Sequence, residues 1–260
     1  MLKMLPITAF CLLVTFNLTA CSETNHPTES NLVNHKPKTL ALAERSQINK
    51  NQSNISTNNN EDIKVAAKPD AITVLVNKQN KLPDSYIPKD LVYTKIPFIV
   101  SERERTEMRK EAADAIEKLF KGAEAQGIHL LGVSAYRSHI SQVELFNSYV
   151  KRDGYEKART YSALPGTSEH ETGLSIDVTG GNGKCSASEC FGYTKEAKWL
   201  QQHAAEYGYI IRYPKGKEAI TGYEYEPWHL RYVGKKIAKE ITDRGITLEE
   251  YYGVVPVNQS

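Results

Sequence analysis

Residues 168–177 read SEHETGLSID, which places a histidine in a polar stretch just before an apolar run that ends near an aspartate. We predict a strand over residues 174–178, with His170 in the loop before it and Asp177 at its end. An imidazole and a carboxylate are both ligands that Zn²⁺ accepts. The spacing differs from the helical His-Glu-x-x-His motif, because no histidine follows His170 by four residues.

Residues 226–232 read EPWHLRY and predict a neighbouring strand that supplies a second imidazole, from His229. Three protein ligands with one open position are typical of a catalytic zinc, which lowers the pKa of water to about 7. Glu226 is the candidate general base. Positions three apart on a strand face opposite sides, so a bend at Pro227 is needed to bring Glu226 and His229 together. The spacing alone leaves a second interpretation open, in which the histidines are satisfied core residues and the acids are solvated.

The charge balance excludes several function classes. Lys and Arg total 33 against 31 for Asp and Glu, so a net charge of +2 gives no general footprint for nucleic acid. Hydrophobic residues make up 40%, which is low for a globular domain, yet the balanced charge does not suit a disordered polyelectrolyte. We therefore expect a globular domain diluted by a polar tail.

The N-terminal residues predict export. Residues 5–18 are mostly apolar but fall short of the roughly 20 residues that span a bilayer, so they are typical of a secretory signal. Residues 18–21 read LTAC and resemble the lipobox of bacterial lipoproteins, which implies a lipid on Cys21 and attachment to the outer face of a bacterial cell membrane. The alternative is a plain secretory signal with an incidental cysteine.

The domain boundaries follow from composition. Residues 1–20 are predicted to be the signal peptide. Residues 21–62 are polar and rich in asparagine, and they cannot bury enough apolar surface to form a core, so we predict a disordered tether. Residues 63–260 are predicted to form the catalytic domain.

Hydrophobic periodicity predicts a mixed α+β domain with a small, mainly antiparallel sheet flanked by helices. Ser101 and Glu104 fit a capping box, which predicts a helix that starts at Ser101, buries a stripe from Met108 to Ala123 and stops at Gly127. The other predicted elements are strands at 72–76, 128–135, 174–178, 209–213 and 227–233 and helices at 138–151, 155–161, 194–207 and 235–244.

The two stretches quoted above resemble the signatures of the zinc D-Ala-D-Ala carboxypeptidases of the VanY type and their LdcB-like relatives (peptidase family M15, subfamily B). Those signatures are Ser-x-His-x-x-Gly-x-Ala-x-Asp and Glu-x-x-His, and here Ser175 stands where alanine is usual. Residues 134–138, SAYRS, resemble the family's Ser-Gly-Tyr-Arg-Ser segment. The resemblance covers roughly residues 72–253 and implies a Hedgehog/DD-peptidase-like fold.

The resemblance also implies the site. Zn²⁺ would bind His170, Asp177 and His229, Glu226 would act as general base, and Arg137 would stabilise the substrate through its carbonyl or terminal carboxylate. Arginine suits that task because its planar fork holds a carboxylate in two hydrogen bonds. The alternative role for Arg137 is a structural salt bridge.

Further residues complete the expected site. Gln142 and Ser168 would line the substrate cleft, although Gln142 could equally be a solvated helix residue. Cys185 and Cys190 are expected to form a loop-closing disulfide in an oxidising exterior, the alternative being two free thiols.

The predicted function is therefore a lipid-anchored, monomeric zinc carboxypeptidase that removes C-terminal D-alanine from peptidoglycan stem peptides by a D,D cleavage with metal-activated water. L,D cleavage of tetrapeptide stems is the alternative within this class. A non-catalytic cell-wall-binding lipoprotein is the alternative from another class. Peptidoglycan stem peptides and the membrane are the expected partners, and nucleic acid is not.

Overall fold

A four-stranded antiparallel sheet is the centre of the protein in a computed structural model that describes residues 68–99 and 102–254. The strands are β1 (Leu91–Tyr93), β2 (Glu107–Arg109), β3 (Leu130–Ser134), β4 (Ser175–Gly180), β5 (Tyr209–Tyr213) and β6 (Glu226–Tyr232). The order in the four-stranded sheet is β3-β4-β6-β5, and a separate two-stranded antiparallel ladder pairs β1 with β2. The signal, the tether and Cys21 lie outside the described residues.

Helices surround this sheet, and their ends follow the sequence signals. Ser138 and Thr194 each cap a helix with a side-chain oxygen that accepts a backbone N–H, and Gly208 and Gly245 follow helical segments in the left-handed conformation. The α-helices are α1 (Lys110–Glu124), α2 (His139–Asp153), α3 (Tyr155–Tyr161), α4 (Lys195–His203), α5 (Glu218–Thr221), α6 (Lys235–Arg244) and α7 (Leu248–Tyr251). Four 3-10 segments lie at Glu104–Thr106, Glu169–Thr172, Glu189–Tyr193 and Ala204–Tyr207 within the described ranges. The predicted α+β architecture is confirmed.

The main core joins the sheet to α1 and α4. The apolar stripe of α1 is fully buried at Ile116 and Leu119, and it packs in one cluster with Ile176 of β4 and Leu230 of β6. A smaller cluster combines α6 and α7 with Ile210 of β5. All six residues of β4 are buried, so both faces of this strand are covered.

The prediction that a helix starts at Ser101 is wrong. Met108 lies in β2, where it pairs with Val92 of β1, and α1 begins only at Lys110. The carboxylate of Glu104 accepts hydrogen bonds from the Ser138 backbone N–H at 2.7 Å and from the Ser141 hydroxyl at 2.8 Å. Pairing with a distant strand thus outweighs the local helical preference. Ser101 itself lies outside the described residues.

The predicted strand over residues 72–76 is also wrong. The segment is irregular, because its carbonyl groups are bound by side chains rather than by a neighbouring strand. Arg231 Nη2 donates to the carbonyl oxygens of Ile72 (3.0 Å) and Val74 (2.6 Å), and the Tyr252 hydroxyl donates to that of Thr73 (3.0 Å). The prediction could not anticipate a buried arginine from the end of β6.

Two details of the helices complete the comparison. In α2 only Phe146 and Gln142 are fully buried, whereas Val143, Leu145 and Tyr149 are partly exposed. Gln142 is therefore not a solvated residue. None of the helices in the described residues has both the length and the apolar character needed to cross a membrane.

Candidate metal centre

The central sheet brings His170, Asp177 and His229 together. Asp177 and His229 are directly paired residues of β4 and β6. The sequence analysis placed Asp177 at the end of its strand, but it is the third of six residues in β4. Its Oδ1 lies 3.0 Å from Nδ1 of His229, and its Oδ2 lies 3.3 Å from Nε2 of His170. One ligand-type atom from each of the three buried residues lies within 4.8 Å of the others.

The turn before β4 places His170. This residue lies in the 3-10 turn Glu169–Thr172, and Gly173 then reverses the chain with φ of 67°. A Cβ at Gly173 would lie 3.0 Å from the side chains of Leu91 and Arg109, so both the conformation and the close approach require glycine. The chain therefore enters β4 only two residues after the turn.

Hydrogen bonds decide which ring nitrogen each histidine presents. His170 Nδ1 lies 2.7 Å from the Ala135 carbonyl oxygen, which can only accept, so Nδ1 carries the hydrogen and the lone pair of Nε2 faces Asp177. His229 Nε2 lies 3.3 Å from Oε2 of Glu169, and its Nδ1 faces Asp177. Both ring nitrogens of His229 therefore face carboxylates, and a metal bound to Nδ1 would leave the ring hydrogen on Nε2, directed at Glu169. Two imidazole lone pairs and a carboxylate converge, and this donor set fits Zn²⁺.

The electrostatics of the three residues agree with a cation site. Burial would raise the pKa of Asp177, but His170 and His229 hold it well below its usual range. Burial lowers the pKa of His170. Burial also opposes charge on His229, yet its hydrogen bonds to Asp177 and Glu169 raise its pKa to about 9. A bound metal would therefore displace a proton from His229.

A bulge in β6 turns Glu226 toward the same point. Ile211 pairs with Leu230, but Tyr213 pairs with Glu226, so two residue steps along β5 match four along β6. This shift in register lies between Glu226 and Leu230, in the stretch that contains Pro227, where the sequence predicted a bend. Glu226 Oε2 lies 3.9 Å from His229 Nδ1, and 16% of the Glu226 side chain is exposed. Burial raises the pKa of Glu226 to about 8, with Asp177 adding to the rise and His229 opposing it.

These residues lie in a cleft of about 430 Å³. Leu145 and Tyr149 of α2 and Tyr161 of α3 line it, and so do Tyr225 and Trp228. Arg137, Gln142 and Ser168, all expected in the site from the sequence, line the same cleft.

Arg137 is held in the cleft by neutral hydrogen-bond acceptors. Its Nη1 donates to Gln142 Oε1 at 2.9 Å and its Nη2 to Ser134 Oγ at 3.2 Å. Gln142 is fixed in turn, because its Nε2 donates to the Ala163 carbonyl oxygen at 2.8 Å. Within residues 68–99 and 102–254, no carboxylate lies within 4.0 Å of the guanidinium. The structure thus holds Arg137 with neutral acceptors, not with the salt bridge considered as its alternative role.

A cross-linked loop forms part of the rim. Cys185 and Cys190 are joined by a disulfide with their Cα atoms 5.5 Å apart. Cys185 and Ala187 have φ of 57° and 47°, a region that residues other than glycine rarely adopt. Ala187, Ser188 and Glu189 line the cleft.

The sequence analysis missed Glu169 and the two arginines that bind it. Glu169 is completely buried, and its Oε1 accepts from Arg212 Nε at 2.7 Å and from Arg231 Nη1 at 2.6 Å. These arginines lower the pKa of Glu169 well below its usual range, against the effect of burial. One signal was present in the sequence: both arginines lie within predicted strands of a small sheet, where a buried charge requires a partner.

Comparisons with known proteins were consistent with this geometry. The family model described as VanY, D-alanyl-D-alanine carboxypeptidase, matches residues 105–235. YodJ of Bacillus subtilis (strain 168), which bears a carboxypeptidase name, is 49% identical over 185 residues, or 71% of this chain and 68% of YodJ. The solved LdcB LD-carboxypeptidase is 48% identical with a TM-score of 0.69, covering 73% of this chain and 89% of that one. A mutant of the D,D-pentapeptidase VanY from a VanB-type resistance cassette, solved with Zn(II), is 30% identical with a TM-score of 0.56, covering 71% and 99%.

Proposed function

The chain belongs to the VanY family of D-alanyl-D-alanine carboxypeptidases, and we propose that it releases C-terminal D-alanine from peptidoglycan stem peptides. The observation that carries the proposal is the convergence of His170, Asp177 and His229 within 4.8 Å at a cleft that also contains Glu226 and Arg137. The family is zinc-dependent, and the neutral imidazoles and the carboxylate fit that ion.

His170 Nε2, Asp177 and His229 Nδ1 are the proposed zinc ligands. When bound, zinc supplies Lewis acidity that polarises a carbonyl group and makes water more acidic. The three residues bind from two strands and one tight turn, so the ligand atoms are held by rigid elements. The remaining side of the cluster faces the cleft, where a peptide carbonyl can approach.

Glu226 is the proposed general base and proton carrier. Its carboxylate lies beside the cluster, partly open to the cleft, and can take a proton from the attacking water. It then delivers that proton to the nitrogen of the departing D-alanine. A divalent cation next to Glu226 favours the ionised carboxylate, so its pKa falls below the metal-free value of about 8.

Arg137 is the proposed anchor for the substrate. Its guanidinium lacks a carboxylate partner within the described part of the chain, while Gln142 and Ser134 fix its orientation. A substrate carbonyl or terminal carboxylate would supply the missing anionic or polar partner. Ser168 is buried at the edge of the same cleft and is proposed to contact the substrate terminus.

For the bond that is cut, we favour L,D cleavage of tetrapeptide stems, in which D-alanine follows an L-residue. The support is the higher identity to the LD-carboxypeptidase LdcB (48%) than to the D,D-pentapeptidase VanY (30%). D,D cleavage, which the sequence analysis predicted although both kinds of member share the motifs, is the second candidate because the family model carries that activity in its description.

One experiment tests the enzyme proposal and the choice of bond. Zinc-loaded protein is incubated separately with tetrapeptide and pentapeptide muropeptides. Mass spectrometry identifies the products, and kcat/KM is measured for each substrate. Loss of one alanine from the tetrapeptide at the higher kcat/KM supports L,D cleavage, and the reverse preference supports D,D cleavage. Binding of both substrates without any release would favour the non-catalytic cell-wall-binding alternative.

We also propose that the protein is a monomeric lipoprotein, anchored through Cys21 outside a bacterial membrane. The support is the lipobox-like sequence LTAC at residues 18–21, followed by a polar segment suited to a tether. In a bacterial host, the wild-type protein should fractionate with membranes, and the Cys21→Ala variant should not gain lipid. Equal lipid labelling of both proteins would contradict the anchor.

A further inference from the structure

The carboxylate of Glu169 divides its two oxygens between different partners. Oε1 accepts hydrogen bonds from both arginines, from Arg212 at 2.7 Å and from Arg231 at 2.6 Å. Oε2 has different partners: it accepts a hydrogen bond from the Ser175 hydroxyl at 3.1 Å and lies 3.3 Å from His229 Nε2. A carboxylate present only to neutralise arginines would not need to direct its second oxygen at an imidazole.

Glu169 cannot leave this position. It is fully buried, and so are Arg212 and Arg231. Arg212 is also bound by Glu249 of α7, at 2.9 Å and 2.6 Å, and Arg231 Nη2 is bound by the Ile72 and Val74 carbonyl oxygens. The two carboxylates and two guanidinium groups balance in formal charge, so the network adds no net charge beside the cation site.

The two histidines of the site differ in how they are held. His170 is oriented by a backbone carbonyl, that of Ala135, which no side-chain substitution removes. The ring of His229 lies between two carboxylates, with Nδ1 3.0 Å from Asp177 Oδ1 and Nε2 3.3 Å from Glu169 Oε2. With a metal on Nδ1, the hydrogen would lie on Nε2, where Glu169 is the acceptor. Such outer hydrogen bonds fix the tautomer and rotation of metal-binding histidines.

We infer that Glu169 is a positioning residue, which holds His229 as the tautomer and at the rotation that direct Nδ1 toward the metal, with Arg212 and Arg231 fixing Glu169 in turn. The inference rests on the proposed zinc peptidase function. Glu169 is not one of the three clustered ligand residues, and it acts through His229.

Zinc affinity tests the inference independently of turnover. Metal-free wild-type, Glu169→Gln and Glu249→Gln proteins are titrated with zinc against a chromophoric chelator. Glutamine at 169 keeps the shape but loses an acceptor oxygen, so we expect zinc to bind about 10- to 100-fold more weakly. Glu249→Gln removes an equally buried carboxylate from the same network without touching His229, and we expect its zinc affinity to stay close to wild type.

A second variant covers the case in which Glu169→Gln does not fold. Glu169→Asp keeps the charge but shortens the reach toward His229, and long-range ¹H–¹⁵N NMR of the His229 ring reports its tautomer in the zinc-loaded protein. We expect weaker zinc binding together with a mixed tautomer. Wild-type zinc affinity in a folded Glu169 variant, or equal weakening by Glu169→Gln and Glu249→Gln, would overturn the inference. Failure of the wild-type protein to bind zinc would instead overturn the proposed function.

Discussion

Replacing Glu226 by glutamine isolates the proton-transfer step of the proposed reaction. Glutamine has nearly the same shape and fits the bulged end of β6, but its amide cannot accept a proton from water. Glu226 is not one of the three clustered ligand residues, and its Oε2 lies 3.9 Å from His229 Nδ1. We therefore expect the variant to fold and to retain its zinc.

The size of the effect follows from the role. General acid–base catalysis contributes about 10²- to 10⁴-fold, so kcat should fall by that factor, or about 2.7–5.4 kcal/mol in activation free energy. KM should change little, because Arg137 and the cleft walls remain. The exposed Glu144 on α2 is outside the cleft lining, and Glu144→Gln is the control for loss of one carboxylate.

The role of Glu226 also predicts the direction in which activity changes with pH. A base must be ionised to accept a proton, so wild-type kcat/KM should rise with pH through the pKa of Glu226. In the metal-free protein burial raises that pKa to about 8, and bound zinc lowers it from there. The Glu226→Gln variant should lack this acidic limb and show a flat, low profile over the same range.

The assay is D-alanine release from muropeptides, followed by chromatography, with zinc content measured on the same samples. A Glu226→Gln protein that carries zinc and turns over near the wild-type rate would refute the assignment of the base. A variant that has lost its zinc would show that the carboxylate acts on the metal instead.

Three other outcomes are expected from the same site. Removal of metal with a chelator should abolish D-alanine release and added Zn²⁺ should restore it, whereas activity that survives metal removal would contradict the metal mechanism. Arg137→Lys keeps the charge but loses the fork, so kcat/KM should fall about 10- to 100-fold, as for loss of a charge-assisted hydrogen bond of about 1.5–3 kcal/mol; unchanged kinetics would exclude Arg137 as the anchor. The Cys185→Ser/Cys190→Ser double variant should have a higher KM and a similar kcat, because the loop that the disulfide closes lines the cleft. Reduction of the wild-type protein should have the same effect. An unchanged KM would show that the disulfide contributes to stability alone.

Much of the fold could be predicted where local signals and long-range pairing agree. The helix that starts after Ser138, the helical segment that stops at Gly208 and the hairpin-like pairing of β5 with β6 follow from caps, glycine and alternation. The errors fall where distant partners decide. Residues 107–109 have helical periodicity but pair with β1, and residues 72–76 have strand composition but give their carbonyl groups to Arg231 and Tyr252.

The site divides in the same way. The motif spacing brought His170, Asp177 and His229 into one hypothesis, and the register of β4 and β6 places them together. The spacing also required a bend near Pro227, but not its form, since a bulge depends on how β5 pairs across it. The role of Glu169 could not be predicted from the sequence, because it depends on contacts with Arg212 and Arg231, which are near Glu169 only in the folded chain.

The two ends of the described domain are joined behind the metal centre. The Tyr252 hydroxyl reaches the Thr73 carbonyl oxygen at 3.0 Å, and Asn77 Nδ2 reaches Glu249 Oε1 at 3.2 Å. The two ends are therefore close enough in space that the same arrangement of segments can be formed by a chain that starts and ends elsewhere. A circular permutant that links these ends by a short flexible peptide and opens the chain at an exposed loop could keep every contact of the site. Deleting either end, in contrast, would remove partners of Arg231 or Arg212, the two arginines that bind Glu169 beside His229.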